Sequence, residues 1–257
     1  MTKINGLFLD YDGTLSPLNT TRENSRIPPH LETMLNVIRK SIPVSIVTTK
    51  DMPFILPRTD FAWAWSAIAG LEMKVGAQLF VAKHVEEKLP ALLEALIYAK
   101  QKLVEGGIIE EKCNYIGLPL AFCVDWRQIR DEQAAKAFYD PILNYCRSVP
   151  VHVVEYPGKP FFDVFTYPIN KGRALKKLKD KLMISEGTLY MGDSATDNPA
   201  FQEADISIGV GGDHKPEDLH CKYWIRFDDV ACFLNHLFKN RFSFSPDLPG
   251  IRECPAA

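Results

Sequence analysis

The apolar run Leu7-Phe8-Leu9 passes without transition into Asp10-Tyr11-Asp12-Gly13-Thr14. A short apolar segment stopped by turn-forming polar residues specifies a buried strand of a parallel sheet. Two carboxylates therefore stand at the carboxyl end of that strand. Pro28 and Pro29 then open a helix with apolar residues Leu31, Met34, Leu35 and Ile38 spaced by three and four, ahead of the strand Val44-Ser45-Ile46-Val47. This is a βαβ unit. Such units build parallel sheets with right-handed crossovers, and ligands gather beyond the carboxyl ends of their strands.

After Gly76 the pattern changes. An amphipathic helix is expected from about Leu89 to Val104, followed by alternating strands near Ile108 to Tyr115 and Leu120 to Trp126. A second helix, Glu132 to Cys146, precedes strands near Val151 to Glu155 and Phe161 to Phe165. Helix and antiparallel strand together read as an α+β insert within a parallel-sheet core. The βαβ pattern returns with a helix from Lys171 to Leu182 and a strand from Thr188 to Met191, which also ends in carboxylates, Asp193 and Asp197. A core strand at Ile206-Ser207-Ile208, a tight turn at Gly209-Val210-Gly211-Gly212 and a last helix from Asp228 to Phe238 complete the core. The expected organisation is α/β, with a Rossmann-like parallel-sheet core at 1–84 and 168–257 and a smaller α+β domain at 85–167.

A chain of 257 residues, 46% hydrophobic and 24% charged, has enough apolar matter for one substantial core, or for one core and a smaller satellite. Its formal net charge of −2, spread along the chain, carries no footprint for nucleic acid or an anionic membrane surface, so neither is an expected partner. The six cysteines form no CxxC pair, which argues against a zinc site or disulfide scaffold and suits reduced thiols in the cytoplasm. The apolar stretch before Asp10 is too short for a signal peptide or membrane span.

Two carboxylates two residues apart, with Gly13 free to turn sharply and expose backbone amides, suit a phosphate ester. Asp10 is the candidate nucleophile. Asp12 is the candidate acid and base, protonating the leaving oxygen and then activating water. Two anions facing a phosphate dianion require a bridging cation, and hard oxygen ligands select Mg²⁺. The candidate metal residues are Asp10, Asp12, Asp193 and Asp197, the last as a direct, water-mediated or outer ligand, or as the N-cap of the helix beginning at Asn198-Pro199. Lys171 is placed to neutralise phosphoryl oxygens, and Thr48 either donates its hydroxyl to them or caps a helix.

The order DYDGTL, Thr48, Lys171 and GDSATD resembles the four-motif arrangement of the haloacid dehalogenase superfamily. That resemblance implies a Rossmann-like core, Mg²⁺, an aspartyl-phosphate on Asp10 and a cap domain over the site. Asp12 implies the phosphatase and phosphomutase branch. Within the superfamily the chain is similar to trehalose-6-phosphate phosphatases over almost its whole length, through LFLDYDGTLSPL, SIVTTKD, INKGRAL and MGDSATDNPAF. The insertion point resembles that family's C2-type cap. The family's sugar-reading segment maps onto Glu110, Lys112 and Arg127 as substrate-binding residues, with Asp125 where the family has a histidine.

What the resemblance implies is a sugar-phosphate phosphatase, with trehalose 6-phosphate as leading substrate. Sucrose-phosphate, mannosyl-phosphoglycerate and glucosylglycerol-phosphate esters are the alternatives, phosphomutase activity is another, and a sugar-phosphate synthase is a conceivable partner, even for a catalytically silent chain.

Overall fold

The computed structural model describes residues 1 to 254 except Asn19, Pro157 and Pro216. It divides into two compact units, one of residues Met1–Lys50, Phe54–Phe80 and Asn170–Ala257, the other of Asp51–Pro53 and Val81–Ile169. The first unit is built on a nine-stranded sheet in the order Arg252–Glu253, Tyr223–Arg226, Ile206–Gly211, Thr188–Gly192, Gly6–Leu9, Val44–Val47, Ala64–Ala67, Glu72–Val75, Gln78–Val81. The six strands from Tyr223–Arg226 to Ala64–Ala67 run parallel, and antiparallel strands flank them at both sides.

Burial on both faces explains the composition of the central strands. Gly6–Leu9, Val44–Val47 and Thr188–Gly192 are buried at every position, because helices cover a parallel sheet on both sides. The helix Lys171–Leu182 begins where Asn170, its N-cap, accepts a hydrogen bond from the Arg173 amide at 2.9 Å, and it buries Ala174, Leu175 and Leu178 against Phe8 and Tyr190. Its polar face is rich in lysine, so only that apolar stripe holds it to the sheet.

The second unit contains an antiparallel sheet in the order Ile108–Cys113, Pro119–Asp125, Phe161–Phe165, His152–Glu155. Helices Val85–Gln101 and Glu132–Ser148 cover one face, where Leu92, Phe122, Phe138 and Phe162 form the core. Alternation sends Glu110, Lys112, Cys123 and Asp163 to the other face. Among the described residues, no helix is long and apolar enough to cross a membrane.

Two local expectations change. The strand beginning at Ile206 continues to Gly211 where a turn was expected, because Gly209 and Gly211 pair with Trp224 and Arg226 of a strand not foreseen in the sequence. The first helix of the second unit starts at Val85, four residues before its apolar periodicity becomes readable. Beside the strand Ala64–Ala67, Phe61 and Trp65 are buried, whereas Trp63 is exposed.

Candidate active site

The strand Gly6–Leu9 lies between Val44–Val47 on one side and Thr188–Gly192 on the other. The chain leaves it toward the first neighbour and later returns to the second, so the connections diverge between Gly6–Leu9 and Thr188–Gly192. Such a divergence opens a crevice at the carboxyl ends of the strands. The register Met191↔Leu9 and Leu9↔Ile46 brings the residues that follow all three strands to that crevice. They are Asp10, Thr48 and Asp193, and the Asp10 amide is fastened to Met191 O at 2.9 Å.

Gly13 has φ +74°, and a Cβ there would fall 2.1 Å from Asp193 Oδ2. Only glycine lets this turn fold against the neighbouring loop. A Cβ on Gly192 would fall 2.4 Å from Asp197 Cγ, so its absence lets the Asp197 carboxylate tuck beneath the strand end. Asp10, Asp193 and Asp197 thereby offer oxygens all within 4.8 Å of one another.

Lys171, at the first turn of its helix, has its Nζ 3.0 Å from Asp10 Oδ1 and 2.7 Å from Asp197 Oδ1. All three side chains are buried. Burial pushes the Asp10 carboxyl up to about 7 despite the lowering effect of Lys171, with Asp197 and Asp12 adding to the rise. Burial also holds Asp193 well above the usual carboxylate range, reinforced by Asp10 and Asp197. Burial disfavours the Lys171 ammonium, but Asp10 and Asp197 outweigh it and hold lysine charged beyond its ordinary range.

Asp197 differs from its neighbours in having no oxygen to spare. Oδ1 accepts from Lys171 Nζ and the Tyr190 hydroxyl, while Oδ2 accepts from the Asp193 and Ser194 amides at 3.2 and 3.1 Å and from Ser194 Oγ at 3.1 Å. It also closes a capping box with Ser194 on the short 3₁₀ turn Ala195–Asp197. The Asp12 carboxylate lies outside the Asp10, Asp193 and Asp197 group and meets Lys50 Nζ at 3.4 Å, about a third exposed. Thr48 is buried, and its Oγ1 accepts the Lys50 amide at 3.2 Å.

Close carboxylates with two elevated proton affinities carry more negative charge than Lys171 balances, and their oxygens are the hard donors a divalent cation takes. Asp10 and Asp193 are the residues that could hold it, with Asp197 bracing the loop. In chelator, the folded protein is therefore expected to lose stability as pH rises from about 4 to 7. Asp10 titrates near 3.8 when unfolded and about 7 when folded, so between those values the unfolded chain releases a proton that the folded chain keeps, and each rise in pH favours the unfolded state until the folded acid ionises too. Melting temperatures at pH 5, 6 and 7 in EDTA check this, with Asp193→Asn as reference. The fall should be steeper in wild type than in Asp193→Asn; equal slopes would refute the crowding.

Glu110, Lys112 and Arg127 lie in the second unit. Lys112 Nζ forms a buried ion pair with Asp163 Oδ1 at 2.6 Å, and the Tyr156 hydroxyl donates to Asp163 Oδ2 at 2.8 Å. Burial opposes the Lys112 charge, but Asp163 prevails and raises its proton affinity. Arg127 Nε meets Asp125 Oδ2 at 2.7 Å at a more exposed position. Glu110 is partly buried on the same sheet face as Lys112.

Two residues at the first unit's site were missed in the sequence. Lys50 follows the second motif's hydroxyls and reads as an ordinary surface lysine. Tyr190 had a usable signal: a tyrosine inside a fully apolar parallel strand must find a partner for its hydroxyl. Burial, followed by the Asp197 charge, holds that phenol well above its ordinary range, so it stays protonated as a donor.

No protein-family model matches the chain. It is 26% identical over 224 residues to a probable trehalose-phosphate phosphatase J of Arabidopsis thaliana, an alignment covering 76% of this chain and 56% of that protein. The chain thus spans little more than half the length of this curated relative. Among solved structures, a trehalose-6-phosphate phosphatase related protein superposes with TM-score 0.73 at 21% identity, covering 92% of this chain and 98% of its own. The C-terminal domain of the C. albicans trehalose-6-phosphate phosphatase gives 0.69 at 18% identity, covering 92% of each chain. A sugar phosphatase of haloacid dehalogenase subclass IIB gives 0.60 at 17%, covering 93% of this chain and all of that one. With these partners across its core sheet and inserted unit alike, the chain has the fold of the haloacid dehalogenase superfamily, trehalose-6-phosphate phosphatases being among the proteins that share it.

Proposed function

We propose that the protein is a Mg²⁺-dependent phosphatase of a small-molecule sugar phosphate, with trehalose 6-phosphate as the leading substrate. The observation that carries this reading is the Lys171 ammonium 3.0 Å from Asp10 Oδ1, at the carboxyl end of the central strand. A carboxylate nucleophile and a fixed cation stand where a phosphoryl group must sit. The trehalose-phosphatase names of the relatives supply the substrate class.

Asp10 Oδ attacks phosphorus, forming an aspartyl-phosphate as the bond to the leaving oxygen breaks. Asp12 gives its proton to that oxygen. It then takes a proton from a water that attacks phosphorus, releasing inorganic phosphate and restoring Asp10. Lys171 offsets charge on the phosphoryl oxygens, and Thr48 offers its hydroxyl to them. Bound through Asp10 and Asp193, with Asp12 as a further candidate ligand, Mg²⁺ would neutralise phosphoryl charge.

Sugar recognition is assigned to Glu110, Lys112 and Arg127. Lys112 and Arg127 already meet carboxylates, Asp163 and Asp125, which favours a substrate whose remaining groups are uncharged hydroxyls over one with a second anion. Phosphate release from trehalose 6-phosphate, sucrose 6-phosphate and mannosyl-phosphoglycerate, with Mg²⁺ or EDTA, tests the reading. A Mg²⁺-dependent preference for trehalose 6-phosphate is expected. Preference for another ester would keep the chemistry and move the substrate, whereas no turnover together with capture of a sugar-phosphate synthase would replace the enzyme reading with a binding one.

A further inference from the structure

Tyr190 is fully buried and points its hydroxyl at Asp197 Oδ1, the same oxygen that receives Lys171 Nζ at 2.7 Å. A carboxylate oxygen has two lone-pair directions. Tyr190 occupies one and the lysine the other, while Oδ2 is taken by the Asp193 and Ser194 donors. Lys171 is meanwhile shared with Asp10 at 3.0 Å. Its position is thus a balance between two carboxylates, and the charge left on Asp197 Oδ1 decides how strongly it is drawn from Asp10.

The pocket itself does not require a hydroxyl. Tyr190 stands edge-on to Phe201, with ring centroids 5.6 Å apart, within an apolar cluster that includes Phe8, Leu175 and Ala200. Phenylalanine would satisfy those contacts and avoid desolvating a phenol. The polar atom is explained by what it touches.

We propose that Tyr190 is a positioning residue which, by donating to Asp197, keeps the Lys171 ammonium within hydrogen-bonding reach of Asp10, where the transferred phosphoryl group is held. This rests on the phosphatase reading and adds to it a residue outside the four motifs. Without the hydroxyl, Asp197 Oδ1 is short of a donor and takes Lys171 more fully. The loss then falls on phosphoryl transfer, whatever the leaving group.

Tyr190→Phe in the full chain, assayed with saturating Mg²⁺ on the preferred sugar phosphate and on p-nitrophenyl phosphate, tests this. Outer partners of a catalytic group are typically worth about 10- to 100-fold. A kcat loss in that range is expected, by the same factor on both esters, with KM changed less than about twofold. Calorimetric binding of orthovanadate, a phosphoryl mimic, should weaken severalfold. Phe201→Leu loosens the same packing without touching the hydroxyl, so it should lower the melting temperature while leaving kcat nearly unchanged.

Unchanged kcat in Tyr190→Phe, a loss confined to the sugar ester, or equal kcat losses in both variants would overturn the role. An inactive wild type would sink the phosphatase reading instead, while the vanadate comparison would still report on Tyr190: weakened binding supports the role and unchanged binding refutes it.

Discussion

Asp10→Asn is expected to reduce turnover by about 10⁴-fold or more while leaving the protein folded, because the amide fills the same volume and lacks the nucleophilic charge. Asp10 is nearly inaccessible, and its carboxyl is raised to about 7, so the substitution removes a charge the fold already disfavours. Lys171 retains Asp197 as partner at 2.7 Å. The melting temperature in EDTA at pH 8 should therefore hold or rise. Single-turnover assays with mass analysis supply the second readout: wild type should accumulate a phosphorylated enzyme and the variant none. Activity within tenfold of wild type would remove Asp10 from the nucleophile's place.

Lys171→Met carries the second large effect, and here activity and stability fall together. The ammonium is the cation shared by two buried carboxylates, Asp10 and Asp197. Removing one partner of a buried ionic cluster leaves uncompensated charge, typically about 3–5 kcal/mol of destabilisation. Loss of a fixed charge at the phosphoryl position adds a fall in kcat of about 10²- to 10³-fold. Urea titration should show the destabilisation most strongly at pH 8 and less at pH 6, where Asp10 binds a proton. Lys171→Arg separates the two effects: the charge survives, so stability should largely recover, but the broad planar guanidinium should not restore kcat. A stable, active Lys171→Met protein would contradict the arrangement.

The parallel core was legible because its signals are local. Buried strands are short apolar runs, the helix Lys171–Leu182 is framed by its Asn170 cap and a lysine-rich outer face, and each carboxylate group directly follows its strand. What the sequence concealed depends on partners far along the chain. Nothing near Lys112 announces Asp163, 51 residues later, and Tyr190 signals that its hydroxyl needs a partner without saying that the partner is Asp197. The hairpin strands Glu72–Val75 and Gln78–Val81 escaped because one is only half-buried and the other mostly exposed, which weakens the alternation that marks a strand. The strand Tyr223–Arg226 was hidden by its brevity and by Arg226.

The pairing of Gly6–Leu9 with Thr188–Gly192 also dictates when the site can exist during synthesis. A ribosome finishes the nucleophile's strand long before, and the second unit shortly before, it makes the strand that leads into Asp193. Contacts of such long sequence separation form late and slowly. Until then one side of the first strand presents an unpaired, wholly apolar edge, the kind of surface on which nascent chains associate wrongly. Premature termination after Ile169 but before Asp193 would yield a chain able to build the second unit but lacking the complete carboxylate cluster, so the candidate chemistry comes into being only once the residues beyond the second unit are made.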